Sequence, residues 1–285
     1  MSARARLSSN ASRNGSGPYV LVTGGAGFIG VNLANRLLEE GRHVVVLDNL
    51  SRPGVERNLS WLREKHGERV GAVIGDVRDA AAVEDAVRGA DFVYHFAAQV
   101  AVTTSLDTPR HDFEVNALGT INVLEAARRA PHEPAVLFLS TNKVYGDLSG
   151  LELERSATRW MPVERRVASS GIAEDQPLAF HTPYGCSKGA ADQYVLDYAR
   201  VLGLRSAVFR MSCIYGPHQL GTEDQGWVAH FVLRTLAGQA ITLYGDGRQV
   251  RDILFVEDLV DALTTAAQKI DALTGEAFNI GGGPA

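Results

Sequence analysis

Cysteine is scarce. Only Cys186 and Cys213 occur in 285 residues, and they form no C-x-x-C spacing. That excludes a disulfide framework and indicates no structural zinc site or other metal centre. So few thiols suit a reducing, cytoplasmic compartment. Positive charge is not in excess either. Lys and Arg number 28 against 33 Asp and Glu, for a net charge of -5, which argues against the basic face of a nucleic-acid binder. No apolar run approaches the roughly 20 residues that would span a bilayer, so no membrane partner is expected. Internal repeats and low-complexity tracts are missing from the body of the chain. Residues 1–17 contain no acid and almost nothing apolar; they read as a disordered leader outside the fold.

The chain is built around Val20 to Asp48. It reads V-L-V-T-G-G-A-G-F-I-G, then V-N-L-A-N-R-L-L-E-E-G, then R-H-V-V-V-L-D. A strand, a glycine-rich turn, an amphipathic helix and a second strand ending in an acid make one β-α-β unit. Gly24 turns the chain off the strand, Gly27 leaves room for a pyrophosphate, and Gly30 lets the helix pack closely. The helix opens at Phe28 and Ile29, with its amides and positive dipole end toward that pyrophosphate. Asp48 is placed to take the hydroxyls of an adenosine ribose, with Asn49 beside it. Its charge would repel a 2′-phosphate, so NAD is expected rather than NADP.

Strands are predicted at Tyr19–Thr23, His43–Leu47, Val70–Gly75, Asp91–His95, Ala135–Leu139 and Ser206–Arg210. Helices are predicted at Phe28–Glu40, Val55–His66, Ala80–Arg88, Phe113–Arg129 and Tyr184–Leu202. The strands are nearly continuous apolar runs, as for strands buried on both faces. Strict alternation implies an α/β fold with a doubly wound parallel sheet. The dinucleotide-binding domain is read as 18–210, with 250–268 returning to it. Residues 211–249 and 269–285 are read as part of a smaller, truncated substrate-binding lobe. That lobe is given a short strand near Ile241–Tyr244, a strand at Val250–Phe255 and a last strand at Phe278-Asn279-Ile280. The long polar connection Asp147–Thr182 falls over the mouth of the sheet, where functional loops lie.

Tyr184 and Lys188 stand four apart in Y-G-C-S-K and share one helix face. An ammonium beside a phenol favours the phenolate and suits it to exchange a proton with an alcohol as hydride moves. Thr141, in L-S-T-N-K-V-Y-G, can place a hydroxyl on the same substrate oxygen. Asp76 and Val77 end the third strand, where Asp76 can bond an adenine amine. Ala97, Ala98 and Gln99 are the small or polar residues past the fourth strand, where a cofactor passes. His95 reads as a packed histidine. Asn116 either orders a proton relay at the cofactor or makes a structural hydrogen bond. Arg251 either clamps a diphosphate or pairs with Asp252.

Taken together, T-G-G-A-G-F-I-G, L-D-N, G-D-V-R-D, H-F-A-A-Q, S-T-N-K-V-Y-G, Y-G-C-S-K and V-R-D-I-L-F-V-E-D resemble, in order, the extended short-chain dehydrogenase/reductase family. The likeness covers about residues 19–283. It implies tightly held NAD and a nucleotide-diphospho sugar as substrate, and it puts Thr141, Tyr184 and Lys188 on the catalytic positions. The substrate side would draw on Thr141, Asn142, Cys213 and Arg251. Dehydratases of the family carry Asp-Glu directly after the catalytic Ser or Thr; here Asn142-Lys143 stand there, so elimination of water loses its acid and base. Cys213 replaces an Asn common among C4 epimerases. The longer runs S-T-N-K-V-Y-G-D-L, H-T-P-Y-G-C-S-K-G-A-A-D-Q-Y-V-L-D-Y-A-R and D-Q-G-W-V resemble those of 2-epimerases of the family, and this resemblance implies an isomerase acting at C2 through a transient keto sugar. Another epimerase or reductase of the family, or a non-catalytic NAD-binding protein, are the other readings. Family members run on beyond F-N-I-G-G-G and commonly dimerise through two helices. Here Phe113–Arg129 and Tyr184–Leu202 would be those helices, and the resemblance implies a homo-oligomer.

Overall fold

The computed structural model describes residues 17–283; the leader expected at 1–17 lies almost wholly outside the described residues. The first unit is β1 (Tyr19–Thr23), α1 (Phe28–Glu39) and β2 (Val44–Asp48). Then come α2 (Val55–His66), β3 (Val70–Ile74), α3 (Ala80–Val87) and β4 (Ala90–His95). Two short helices follow, α4 (Val102–Asp107) and α5 (Pro109–Phe113), before α6 (Gly119–Arg129) and β5 (Ala135–Thr141). Seven parallel strands form one sheet. Its order runs β3, β2, β1, β4, β5, then β8 (Ser206–Met211) and β11 (Ala277–Ile280). The doubly wound parallel class therefore holds. Every residue of β5 is buried, as a central strand covered on both faces requires. Strand order reverses between β1 and β4, and the carboxyl ends of those strands open the crevice where such sheets take ligands.

Helices cover both faces. On one, Leu33 and Leu37 of α1 pack with Leu59 and Leu62 of α2 and Leu259 and Leu263 of α10 (Val256–Gln268). On the other, Val83 of α3, Val123 and Leu124 of α6, and Val195 and Leu196 of the long α8 (Thr182–Leu202) close over the sheet. They meet Leu21, Val93 and Phe138 from its strands.

Four expectations are corrected. The helix predicted over Phe113–Arg129 is broken: α5 ends at Phe113 and the chain widens into a π-helical turn over Glu114–Leu118 before α6. Ile241–Tyr244 is not a strand; those residues are exposed, and no strand among the described residues pairs with them. The strand at Val250–Phe255 contracts to β10 (Ile253–Phe255), which pairs in parallel with β9 (Cys213–Tyr215). Finally, β11 belongs to the main sheet, not to the smaller lobe. It runs beside β8 with Phe278 opposite Phe209, so the edge of β8 gains a hydrogen-bonded apolar neighbour.

The polar connection before α8 carries structure that its composition hid. An antiparallel pair, β6 (Leu153–Arg155) and β7 (Trp160–Pro162), is followed by a short helix, α7 (Arg165–Ser170). Past β9, α9 (Trp227–Leu236) buries no residue. A last turn, α11 (Ile270–Leu273), leads into β11. Among the described residues no helix is long and apolar enough to cross a membrane.

Candidate active site

The turn between β1 and α1 is built by close approach. Gly24 has φ +67°, and a Cβ there would lie 2.7 Å from the Ala97 backbone nitrogen. A Cβ on Gly30 would lie 2.4 Å from the Gly24 carbonyl oxygen, so helix and loop touch through backbone alone. A Cβ on Gly27 would meet only that same oxygen, at 3.1 Å; this position faces space. The first turn of α1 has no side-chain cap and no acid. Its amides are thus free to meet an anion.

Asp48, at the end of β2, does more than the sequence suggested. One carboxylate oxygen accepts from the Ala26 amide at 3.1 Å and the other from the Leu50 amide at 2.9 Å. The carboxylate therefore braces the glycine loop as well as facing the cavity. Burial pushes its proton affinity up, opposed by the amides of Leu50, Ala26 and Gly27.

A cavity of about 680 Å³ runs from this loop across the strand ends. Gly24, Gly27–Gly30, Asp48, Asn49 and Arg52 line one end, and Tyr184, Lys188, Ser140 and Met211 the other. Asp76, Val77, Ala97, Ala98 and Gln99 line the span between. The Asp76 carboxylate is already engaged, by Arg78 at 2.8 Å and by the Asn49 amide at 2.9 Å. These bonds, the Arg78 bond foremost, hold it well below the usual carboxylate range.

Tyr184 sits in the first turn of α8, which Pro183 opens. Its amide donates to Ser105 Oγ at 3.2 Å. Its phenol is buried with the Thr141 side chain beside it. One turn on, Lys188 Nζ donates to the Leu139 carbonyl oxygen at 2.6 Å and stands 4.1 Å from the Phe138 ring centroid. The acidic phenol expected from the spacing is not what this packing gives. Burial first, and the Asp112 carboxylate after it, push Tyr184 up to about 12 against the Thr141 hydroxyl. Burial also pulls Lys188 down to about 7, opposed by Asp192 and Asp112. Desolvation penalises both charged forms and outweighs their proximity.

His95 is a packed histidine. Thr23 accepts the amides of Phe96 and Ala97, so its hydroxyl proton goes to His95 Nδ1 at 2.7 Å. Thr120 donates to the Asn116 carbonyl, leaving its oxygen to accept from His95 Nε2 at 3.0 Å. That fixes a neutral ring, and burial pulls it down to about 3.

Several predicted residues stand apart from the cavity. Asn116 does not line it. Its side chain accepts from the Gln99 amide and donates toward Gln99 O, Asp112 and Ser187. These bonds match the structural reading of Asn116. Thr141 reaches the site through Tyr184 rather than as part of the wall. Asn142 is exposed, Cys213 lies in the β9–β10 pair, and Arg251 donates to Gln249 at 2.7 Å rather than pairing with Asp252. None of these three lines the cavity.

Sequence reasoning missed the roof. His218, Gln219, Leu220, Thr222 and Gln225 line the cavity from above its glycine end. Arg52 donates to the Leu220 carbonyl at 3.2 Å, Asn32 donates to the Pro217 carbonyl at 3.0 Å, and the Trp61 and His218 rings are 4.3 Å apart. The dipeptide Gly216-Pro217 is a local turn signal there.

The glycine cradle, the open amides of α1 and the acid at Asp48 fit a dinucleotide. A family model described as the NAD dependent epimerase/dehydratase family matches residues 20–281. The chain belongs to that family. Its cofactor is NAD, and it is an isomerase of the nucleotide-sugar epimerase type. The CDP-paratose 2-epimerase of Salmonella typhi is 44% identical over 270 residues, 92% of this chain and 78% of that protein. Among solved structures, the UDP-glucose 4-epimerase of Thermus thermophilus in complex with NAD is 34% identical, with TM-score 0.74 over 92% of this chain and 77% of that one. The dTDP-glucose 4,6-dehydratase DesIV of Streptomyces venezuelae, solved with NAD bound, is 31% identical, with TM-score 0.76 over 93% and 76%.

Proposed function

We propose that this enzyme inverts C2 of a nucleotide-diphospho sugar through a transient 2-keto sugar, converting CDP-paratose to CDP-tyvelose. The observation that carries the reading is the buried Tyr184 phenol, with Thr141 beside it and Lys188 one turn away, at the far end of the cavity that begins at the glycine cradle. The substrate named is that of the 44% identical Salmonella protein. Asn142-Lys143, where an elimination would need an acid and a base, favour epimerisation over loss of water.

Bound NAD supplies an oxidant that removes hydride from a carbinol and restores it. Gly24, Gly27 and the first turn of α1 would hold its pyrophosphate, and Asp48 would accept from its ribose. Tyr184 takes the proton of the C2 hydroxyl and returns it when the other face is reduced. Thr141 orients the phenol and the substrate oxygen. A phenol that burial holds near 12 works as a base only beside a cation, and Lys188 is the cation that α8 provides. The sugar must turn over within the site between the two transfers. Exposed Phe113 and Leu118 beside α6, with Tyr194 and Val201 on α8, support pairing of two copies through these helices. The free thiols Cys186 and Cys213 support a cytoplasmic setting.

The test is incubation with CDP-paratose in deuterated water, followed by proton NMR. The expected result is a mixture of C2 epimers without deuterium at C2 and without accumulation of reduced nicotinamide. Deuterium at C2 would establish deprotonation at carbon and end the hydride reading.

A further inference from the structure

Asp112 is a fully enclosed carboxylate near the proposed catalytic pair, with 0% exposure. It lies in α5, where the chain is about to widen into the π-helical turn. It accepts a short hydrogen bond from Ser187 Oγ and another from Asn116 Nδ2 at 3.2 Å. Ser187 precedes Lys188 directly and follows Tyr184 by three, so the carboxylate docks on the catalytic turn of α8. Asn116 extends the link to the backbone of Gln99, on the cavity wall.

Both partners of Asp112 are neutral. The other buried carboxylate on this side, Asp192, is matched by Arg210, which donates to it at 2.8 and 3.0 Å. An enclosed carboxylate without a cation of its own is costly unless a positive charge stands near. The charged and titratable groups around Asp112 are Lys188, Tyr184 and, on its exposed side, His111. Those around Lys188 are Asp192, Asp112 and His95. His95 is neutral, and Asp192, the stronger of the two carboxylates acting on Lys188, is paired with Arg210.

We propose that Asp112 is a positioning residue that supplies a buried negative charge near Lys188, fixed to the catalytic turn through Ser187. It rests on the reading of Tyr184 and Lys188 as the catalytic pair, and acts on the reaction only through them. Its charge keeps Lys188 an ammonium in a setting that would otherwise strip its proton, and it raises the proton affinity of Tyr184 as well.

The experiment follows the Lys188 Nζ resonance through a pH titration of lysine-¹⁵N-labelled enzyme, assigned by its loss in Lys188→Met. Asp112→Asn keeps the size and acceptor oxygen but removes the charge. Lys188 should then bind its proton about 3- to 10-fold more weakly, and the alkaline limb of the turnover profile should move to lower pH. Ser187→Ala removes the hydrogen bond but keeps the charge, and should leave the midpoint within about 2-fold. An unchanged midpoint in Asp112→Asn, or an equal shift in Ser187→Ala, would overturn the proposal. Should Asp112→Asn fail to fold, Asp112→Ser removes the same charge and is compared in the same way. The resonance is read without turnover, so a failed titration is separate from loss of the catalytic reading, which Tyr184→Phe tests.

Discussion

Lys188 Nζ and the carbonyl oxygen of Leu139 are 2.6 Å apart, which pins the ammonium of α8 to the end of the central strand β5. The bond fixes the lysine where Tyr184 and Thr141 meet, and in doing so buries its charge. That tension between position and desolvation shapes the behaviour expected of the site.

Lys188 makes the protein's stability depend on pH. Its proton affinity falls from the ordinary 10.5 to about 7 on folding. Between those values the unfolded chain binds more protons, so this residue's contribution to stability rises with pH across that window. Below it, the cost of the buried charge is present in full. Denaturant melts at both ends of the window should show a smaller rise for Lys188→Met than for the natural enzyme.

Tyr184→Phe should retain NAD and lose turnover, because the phenol hydroxyl is the group that exchanges a proton. Thr141→Ala should keep the fold and lower turnover about 100-fold, the scale for one hydrogen-bond donor aimed at a reacting oxygen. Nucleotide released by heat, measured beside turnover, separates the two effects. Full activity of Tyr184→Phe would remove Tyr184 from the mechanism.

The glycines should divide by what surrounds them. Gly30→Ala drives a Cβ to 2.4 Å from the Gly24 carbonyl oxygen, a backbone clash that should lower stability by on the order of 2 kcal/mol. Gly27→Ala meets only one atom, at 3.1 Å. It should fold with little change in melting temperature and bind NAD at least about 10-fold more weakly. Calorimetric melting and NAD titration would read the contrast.

Breaking the Asp192–Arg210 pair should be severe. Arg210 is 5% exposed and Asp192 0%. Asp192→Ala leaves a buried guanidinium with only the Tyr145 hydroxyl, at 2.9 Å, as side-chain partner. The expected loss is about 3–5 kcal/mol. Asp192→Leu combined with Arg210→Met should recover much of it in the same unfolding measurement.

Much of the molecule was legible in sequence because it is local. Apolar runs bounded by turns gave the strands of the main sheet. The glycine spacing gave the cradle, and the four-residue step from Tyr184 to Lys188 gave one helix face. The π-helical turn at Glu114–Leu118 left no mark, since its residues are as helical in composition as those of α6. The strand at Ala277–Ile280 was visible as a strand, but its place beside β8 depends on an edge formed much earlier in the chain.

The sequence alone therefore determined the class of fold and the cofactor it holds, because both rest on the order of strands, turns and helices along the chain. Tertiary structure decided the rest. It roofed the cavity with residues of the 218–225 segment, left Asn142, Cys213 and Arg251 outside the wall, made Asn116 a brace, and set the proton affinities of Tyr184 and Lys188. The physical reason is that desolvation and the charge that offsets it come from residues distant in the chain, such as Asp112 beneath Ser187, and no local pattern records which of them will meet.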